Sequence, residues 1–280
     1  MNHCKANWVS RFGAEQSGRV GLRNLLGVFL AQGCPVCDRP TSQTLCTDCQ
    51  RQIQAGPSVP LPLPLRVAAA QTEFHAEFQL PVGALGTYSG TLKRAILALK
   101  YGDRPDVATP LGAALGQQWL KFTQSGITGP VGAATRLYAL PIPLHAERQK
   151  SRGYNQAELI AQAFCQVSGL SLLADGLTRT QATLPQHQLS LTARQQNLSQ
   201  AFQVGRSLRQ ILRQRSAAVV LIDDIYTTGT TAQSAAVTLA QAGVTVVAMM
   251  SVARATLSSP ASASSLGDAG RQKPAVDLAR

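Results

Sequence analysis

The stretch AAVVLIDDIYTTGTT, Ala217 to Thr231, sets the fold. Ala217 to Ile222 is a continuous apolar run, β-branched at Val219, Val220 and Ile222. That is the pattern of a strand buried on both faces, as in a parallel sheet. Asp223 and Asp224 follow as adjacent carboxylates, and then a short loop of hydroxyls around a glycine: Thr227, Thr228, Gly229, Thr230 and Thr231. Ala232 to Ala242 predicts a helix, which Gly243 ends.

A strand, an acidic pair, a hydroxyl loop and a helix in that order predict a small-molecule site at the carboxyl end of the strand, where open α/β sheets bind ligands. Backbone N–H groups at a helix N-terminus, with threonine hydroxyls beside them, suit a phosphate. Gly229 lets the backbone approach it closely or adopt a positive φ. The two carboxylates repel a phosphate and suit ribose hydroxyls or a hydrated Mg²⁺. One ligand has both features, a 5′-phosphorylated ribose carrying a pyrophosphate. The stretch resembles the phosphoribosyl-pyrophosphate (PRPP) motif of type I phosphoribosyltransferases, a hydrophobic strand followed by D-D-x-x-T-T-G-x-T. The resemblance implies that Asp223 and Asp224 face the ribose hydroxyls and act in catalysis. It also implies that Thr227, Thr228, Gly229, Thr230 and Thr231 wrap the 5′-phosphate. No G-x-x-x-x-G-K-[ST] occurs, which excludes a P-loop.

The chain has 280 residues, room for one sizeable domain and a small module. With 26 Lys+Arg against 14 Asp+Glu it carries a formal +12, which fits anionic partners: phosphorylated metabolites, nucleic acid or an acidic membrane surface. At 5% aromatic it has no evident aromatic–basic platform for single strands. No run reaches the length of a membrane span. Val20 to Leu30 comes closest and follows basic residues as a signal peptide would. It contains Arg23 and leads into cysteines, so it is read as a short amphipathic helix, and the chain as cytoplasmic.

Cys34-Pro-Val-Cys37 and Cys46-Thr-Asp-Cys49 are two C-x₂-C knuckles eight residues apart. Each supplies two thiolates on a tight turn, and together they predict a four-cysteine structural zinc site. Two disulfides or an iron–sulfur cluster are the alternatives, the former disfavoured in a cytosolic chain. The expected organisation is a disordered leader (1–21), a zinc-ribbon-like module (22–56), a linker or extended arm rich in proline (57–80), a phosphoribosyltransferase-like domain (81–256) and a disordered tail (257–280).

Within that domain, Pro81 to Ser89 reads as a strand or hairpin. Thr91 to Tyr101 and Pro110 to Phe122 read as amphipathic helices. Lys93, Arg94 and Lys100 fall off the apolar face of the first and are read as solvated. Leu137 to Leu144 is a second buried strand, and the loop after it carries Arg148, Lys150 and Arg152, a second anion site. Asn155 is placed to cap a helix running to Val167. Leu177 to Phe202 is polar, with Arg179, His187, Arg194 and Asn197; His187 is read as a surface residue. Ser207 to Ser216 reads as a short basic helix and Val244 to Val252 as another buried strand.

Four blocks stand in fixed order: the cysteine knuckles, TYSGTLKRAILALKYGDRP, ALPIPLHAERQKSRGYNQAELIA and VVLIDDIYTTGTT, with LPQHQLSLTARQQNLSQAF between the last two. Together they resemble the ComF family, amidophosphoribosyltransferase-like proteins associated with competence for DNA uptake. The resemblance spans about Leu22 to Arg254. It implies an α/β type I phosphoribosyltransferase fold, a parallel sheet flanked by helices with a mobile hood loop, plus the N-terminal zinc-ribbon-like module. It assigns zinc to Cys34, Cys37, Cys46 and Cys49, and pyrophosphate to Arg148, Arg152 and Arg194, the last on the hood with Asn197. Gly153 and Asn155 match the basic loop. Glutamine-dependent chemistry is not expected, because the chain has no room for a glutaminase domain with its leading cysteine.

Two functions compete. In the first, Mg²⁺-PRPP binds at residues 223–231, pyrophosphate leaves the ribose C1, and a nitrogen nucleophile attacks. In the second, the same pocket senses PRPP or a nucleotide without turnover. The basic surface then handles single-stranded DNA with competence proteins such as a DNA helicase. A scaffold that has lost its ligand would need neither the two acids nor the threonine loop.

Overall fold

The computed structural model describes residues 32–55, 65–68, 77–124, 135–180 and 201–255. The leader, the apolar run before the knuckles, the hood with His187, Arg194 and Asn197, and the tail lie outside the described residues.

The strand expected at Ala217–Ile222 is longer, β10 (Ala217–Tyr226), and runs through the acidic pair. It is the middle strand of a five-stranded parallel sheet in the order β5 (Val82–Thr87), β11 (Thr245–Arg254), β10, β6 (Arg136–Pro141), β7 (Ser171–Leu172). The α/β class and the parallel pairing are therefore as expected. Both faces of β10 are covered because its residues alternate. Ala218, Val220 and Ile222 enter one apolar cluster, and Ala217, Val219 and Leu221 the other.

Four helices pack on the first face. They are α1 (Thr47–Ala55), α2 (Gly90–Tyr101), α3 (Ala108–Gln124) and α5 (Gln156–Ser168). Gly112 and Gly116 let α3 press on α5: a Cβ at Gly112 would stand 2.3 Å from the Ile160 carbonyl oxygen. The second face carries α6 (Arg206–Leu212), α7 (Thr230–Gln241) and the antiparallel pair β8 (Leu177–Arg179) and β9 (Phe202–Val204). The basic stretch expected as a loop is largely helical, α4 (Ala146–Arg152), ended by Gly153 at φ 78°.

The cysteine module is not set apart. Its short antiparallel pair β1 (Gln32–Gly33) and β2 (Pro40–Thr41) leads into α1, and Cys34, Leu45, Cys49 and Ile53 join the same apolar cluster as Leu92, Ile96 and Leu111. Nor is the proline-rich stretch a plain spacer. Within it β3 (Leu65–Ala68) and β4 (Glu77–Leu80) pair antiparallel, and Leu80 is buried in the second cluster.

Candidate functional site

The helices that follow β6 and β10 leave on opposite faces of the sheet. α5, after β6, buries Ile160, Ala161 and Phe164 in the first cluster. α7, after β10, buries Ala232, Ala235 and Leu239 in the second. Two neighbouring parallel strands whose chains diverge in this way open a crevice at their carboxyl ends, the usual place for a ligand in such sheets. The acidic pair and the threonine loop stand on the β10 side, and α4 with its arginines stands on the β6 side.

Strand alternation gives the two acids different neighbours. Asp224 continues the series Ala218, Val220, Ile222 toward α2 and meets Lys100, whose Nζ lies 2.9 Å from its Oδ2 with both side chains more than four-fifths buried. Asp223 belongs to the other series, and its nearest cationic influence besides Lys100 is Arg179 of β8. Its Oδ1 accepts a hydrogen bond from the Asp224 N–H at 2.8 Å. Burial pushes the Asp223 carboxyl up to about 8, the Asp224 charge adds to this, and Lys100 and Arg179 oppose it. The Arg179 guanidinium is itself lowered by burial and by Arg148, while Asp223 raises it. Arg179 thus feels both Asp223 and Arg148.

Past the acids the chain turns at Gly229, whose φ of 80° is the left-handed value that glycine adopts without strain. α7 begins there with no side-chain cap hydrogen bond. The hydroxyls of Thr228 and Thr230 lie 2.9 Å apart, Thr227 and Thr228 are exposed, and Thr231 is half-buried. N–H donors and hydroxyls on one turn form a cradle for a phosphate.

On the β6 side, Asn155 fixes the turn into α5. Its Oδ1 accepts from the Ala157 N–H at 3.1 Å and its amide donates to the Ile142 carbonyl at 3.1 Å, the capping role expected of it. Arg148 and Arg152 line a cavity of about 650 Å³ with Lys100, Tyr101, Asp103, Ser151 and Tyr154. The Arg152 guanidinium stands over the Tyr101 ring, 5.1 Å from its centre, and donates to Gln156 Oε1 at 3.0 Å. The Tyr154 hydroxyl donates to the Leu99 carbonyl at 2.6 Å and so ties this turn to the end of α2. Lys100 joins the two sides, since it pairs with Asp224 and lines the cavity with Arg148 and Arg152; the threonine loop follows the acids on the β10 side, and Arg194 lies outside the described residues.

Two cations of the site were not assigned from sequence. Lys100, read as solvated, is a buried partner of Asp224. Its only signal was its place in the last turn of a helix that ends in LKYGD. Arg179 stands at the root of the polar stretch 180–200, and only the pairing of β8 with β9 brings it near Asp223.

The four cysteines form the cluster expected of them. Their sulfurs all lie within 4.8 Å of one another, with Cys37 and Cys46 3.5 Å apart. Tetrahedral zinc–thiolate bonds of about 2.3 Å set sulfurs about 3.8 Å apart, so the cluster could hold a zinc ion. Burial resists ionisation of Cys34, but N–H groups of Cys46, Val36 and Cys37 outweigh it and take the thiol down to about 7. Burial and the neighbouring thiols raise Cys49. Arg39 and Arg51 pair with Asp48 at the rim.

No protein-family model matches the chain. Over 79% of its length it is 28% identical to the DNA utilization protein YhgH of Salmonella typhi and 26% identical to that of Escherichia coli K12, in each case spanning 89% of the relative. Over 116 residues it is 35% identical to Competence protein F of Haemophilus influenzae, a match that covers 41% of this chain and 49% of that protein. These similarities support the resemblance to the ComF family. Among the described residues, no helix is long and apolar enough to cross a membrane.

Proposed function

We propose that the crevice between the carboxyl ends of β6 and β10 binds Mg²⁺-PRPP or a related phosphoribosyl ligand, and that the protein serves natural competence through DNA uptake and processing. One observation carries the ligand reading. Lys100 lies 2.9 Å from Asp224 and lines the same cavity as Arg148 and Arg152, so it joins the acidic end of β10 to two arginines from the chain after β6. In this reading the 5′-phosphate sits on Thr227 to Thr231 and the ribose hydroxyls meet Asp223 and Asp224. The pyrophosphate meets Arg148 and Arg152, and Arg194, outside the described residues, is a third contact in this reading. Asp223 and Asp224 are the residues that would hold Mg²⁺, which would supply charge stabilisation to the leaving group. Transfer breaks the bond from C1 to the pyrophosphate oxygen, and the electron pair leaves with the pyrophosphate. A nitrogen lone pair forms the new bond to C1 and the nitrogen sheds its proton to water. The kinship with Competence protein F and DNA utilization protein YhgH supports the role in competence or DNA utilisation.

The formal charge of +12 favours a second reading, a PRPP- or nucleotide-sensing adaptor without turnover that handles single-stranded DNA. Calorimetric titration with Mg²⁺-PRPP tests the ligand, beside an Asp223→Asn/Asp224→Asn variant. Binding by the parent and not by the folded variant supports the site. Pyrophosphate release on adding amine or base acceptors then separates the enzyme from the sensor. No binding by a folded, zinc-loaded parent sinks the phosphoribosyl reading.

A further inference from the structure

Lys100 has two kinds of neighbour. Its ammonium holds Asp224 at 2.9 Å, and it also lines the cavity that Arg148 and Arg152 enter. Three cations and one carboxylate, Asp103, face that space of about 650 Å³. The backbone that carries Lys100 is fixed. Leu92, Ala95, Ile96 and Leu99 anchor α2 in the core, and the Tyr154 hydroxyl holds the Leu99 carbonyl. Only the side chain is free to change partner, and lysine is a compact charge on a flexible stem with no fork to satisfy.

A buried ion pair contributes little net stability, because desolvation offsets most of the attraction. A lysine at this point has a second use. We propose that Lys100 is an exchangeable pyrophosphate contact. In the free protein it neutralises Asp224. When ribose hydroxyls and a divalent cation occupy the acids, the ammonium turns to the pyrophosphate and completes the cationic cavity with Arg148 and Arg152. This rests on the phosphoribosyl reading and adds to it a residue outside the β10 motif and the basic helix. It keeps the acids from facing solvent unpaired before the ligand arrives. It also couples occupation of the ribose end to capture of the leaving group.

The test uses the zinc-loaded full chain, its Lys100→Met and Lys100→Arg variants, and three titrants: Mg²⁺-PRPP, Mg²⁺-pyrophosphate and ribose 5-phosphate. Lys100→Met is expected to weaken PRPP and pyrophosphate tenfold or more and to leave ribose 5-phosphate unchanged or tighter. Equal weakening of all three would mean that Lys100 only shapes the acidic pair, and unchanged PRPP binding would mean that it plays no part; either overturns the proposal. Should Lys100→Met not fold, Lys100→Arg keeps the ion pair and decides. A shift of threefold or more in the PRPP to ribose 5-phosphate affinity ratio supports the exchange, and an unchanged ratio overturns it. A parent that binds none of the titrants overturns the phosphoribosyl reading itself, and is told apart because the parent, not the variant, fails.

Discussion

The cysteine cluster joins the core on one face of the sheet and the acidic crevice opens at the carboxyl ends of its strands, and both gather ionisable side chains in partly buried surroundings. They are finished to different degrees. The four thiols converge on one point, Cys34 and Cys49 are buried, and the surrounding Leu45 and Ile53 belong to the main core. No position is left open for a substrate. The crevice is unfinished: Arg148 is exposed, Tyr101 is 73% exposed, and the cations of the cavity outnumber its single carboxylate. A closed cluster is suited to hold a fold, and an open, charge-unbalanced one to receive an anion.

That contrast can be broken most directly at the metal. Structural zinc contributes on the order of 10 kcal/mol to the folding of a four-cysteine site. Because the module shares its core with α2 and α3, Cys49→Ser or chelation should unfold more than the module. Thermal melting and metal content read this together. A chelated chain that melts unchanged would make the cluster an ornament of the fold.

The acidic pair should behave in the opposite way. Asp223→Asn/Asp224→Asn should abolish measurable PRPP binding and leave a folded chain whose melt moves far less than that of Cys49→Ser, since the removed charges stand at the end of β10 and an amide oxygen at 224 still accepts from Lys100. A loss of fold equal to that of Cys49→Ser would erase the distinction between the two regions.

Packing beneath both sites offers a control. Gly112→Val drives a side chain into the Ile160 carbonyl and the Ala163 methyl. It should cost about 1–3 kcal/mol, read from the denaturant midpoint. Ligand affinity should survive in the folded fraction.

Proton linkage comes next. The Asp223 carboxyl is raised from its ordinary 3.8 to about 8 in the folded chain, facing Asp224, Lys100 and Arg179. The folded state therefore binds the extra proton between those values. This contribution to stability is complete below the lower value and is lost as pH rises through the upper one. The melting temperature of the parent should fall from pH 5 to pH 9 relative to that of Asp223→Asn. Parallel profiles would contradict the buried setting of this acid.

The smallest effect is expected at Asn155→Ala, which removes a helix cap worth about 1 kcal/mol. It should loosen pyrophosphate binding a few-fold through the turn that carries Arg152.

Much of this was legible in the sequence. The unbroken run Ala217–Ile222 announced a strand covered on both faces, and the knuckle spacing announced the cluster, because both are local patterns. Asn155 was legible for the same reason. Lys100 was not. Its solvated reading came from helical periodicity, which places a side chain on a helix but says nothing of which strand end lies opposite. Arg179 needed the β8–β9 pairing across a long separation. The different surroundings of Asp223 and Asp224 follow from strand alternation, but only once β10 is known to continue through them. The extent of the cysteine module's union with the core was hidden too, since proline-rich composition suggests a spacer and does not reveal what pairs within it.

The most direct test of the phosphoribosyl crevice is a crystal structure of the zinc-loaded protein with Mg²⁺-PRPP. The account predicts the 5′-phosphate on Thr227 to Thr231, the ribose hydroxyls at Asp223 and Asp224, and the pyrophosphate between Arg148, Arg152 and a Lys100 that has left Asp224. Ligand bound away from the carboxyl ends of β6 and β10, or a crevice still empty at saturating ligand, would contradict it.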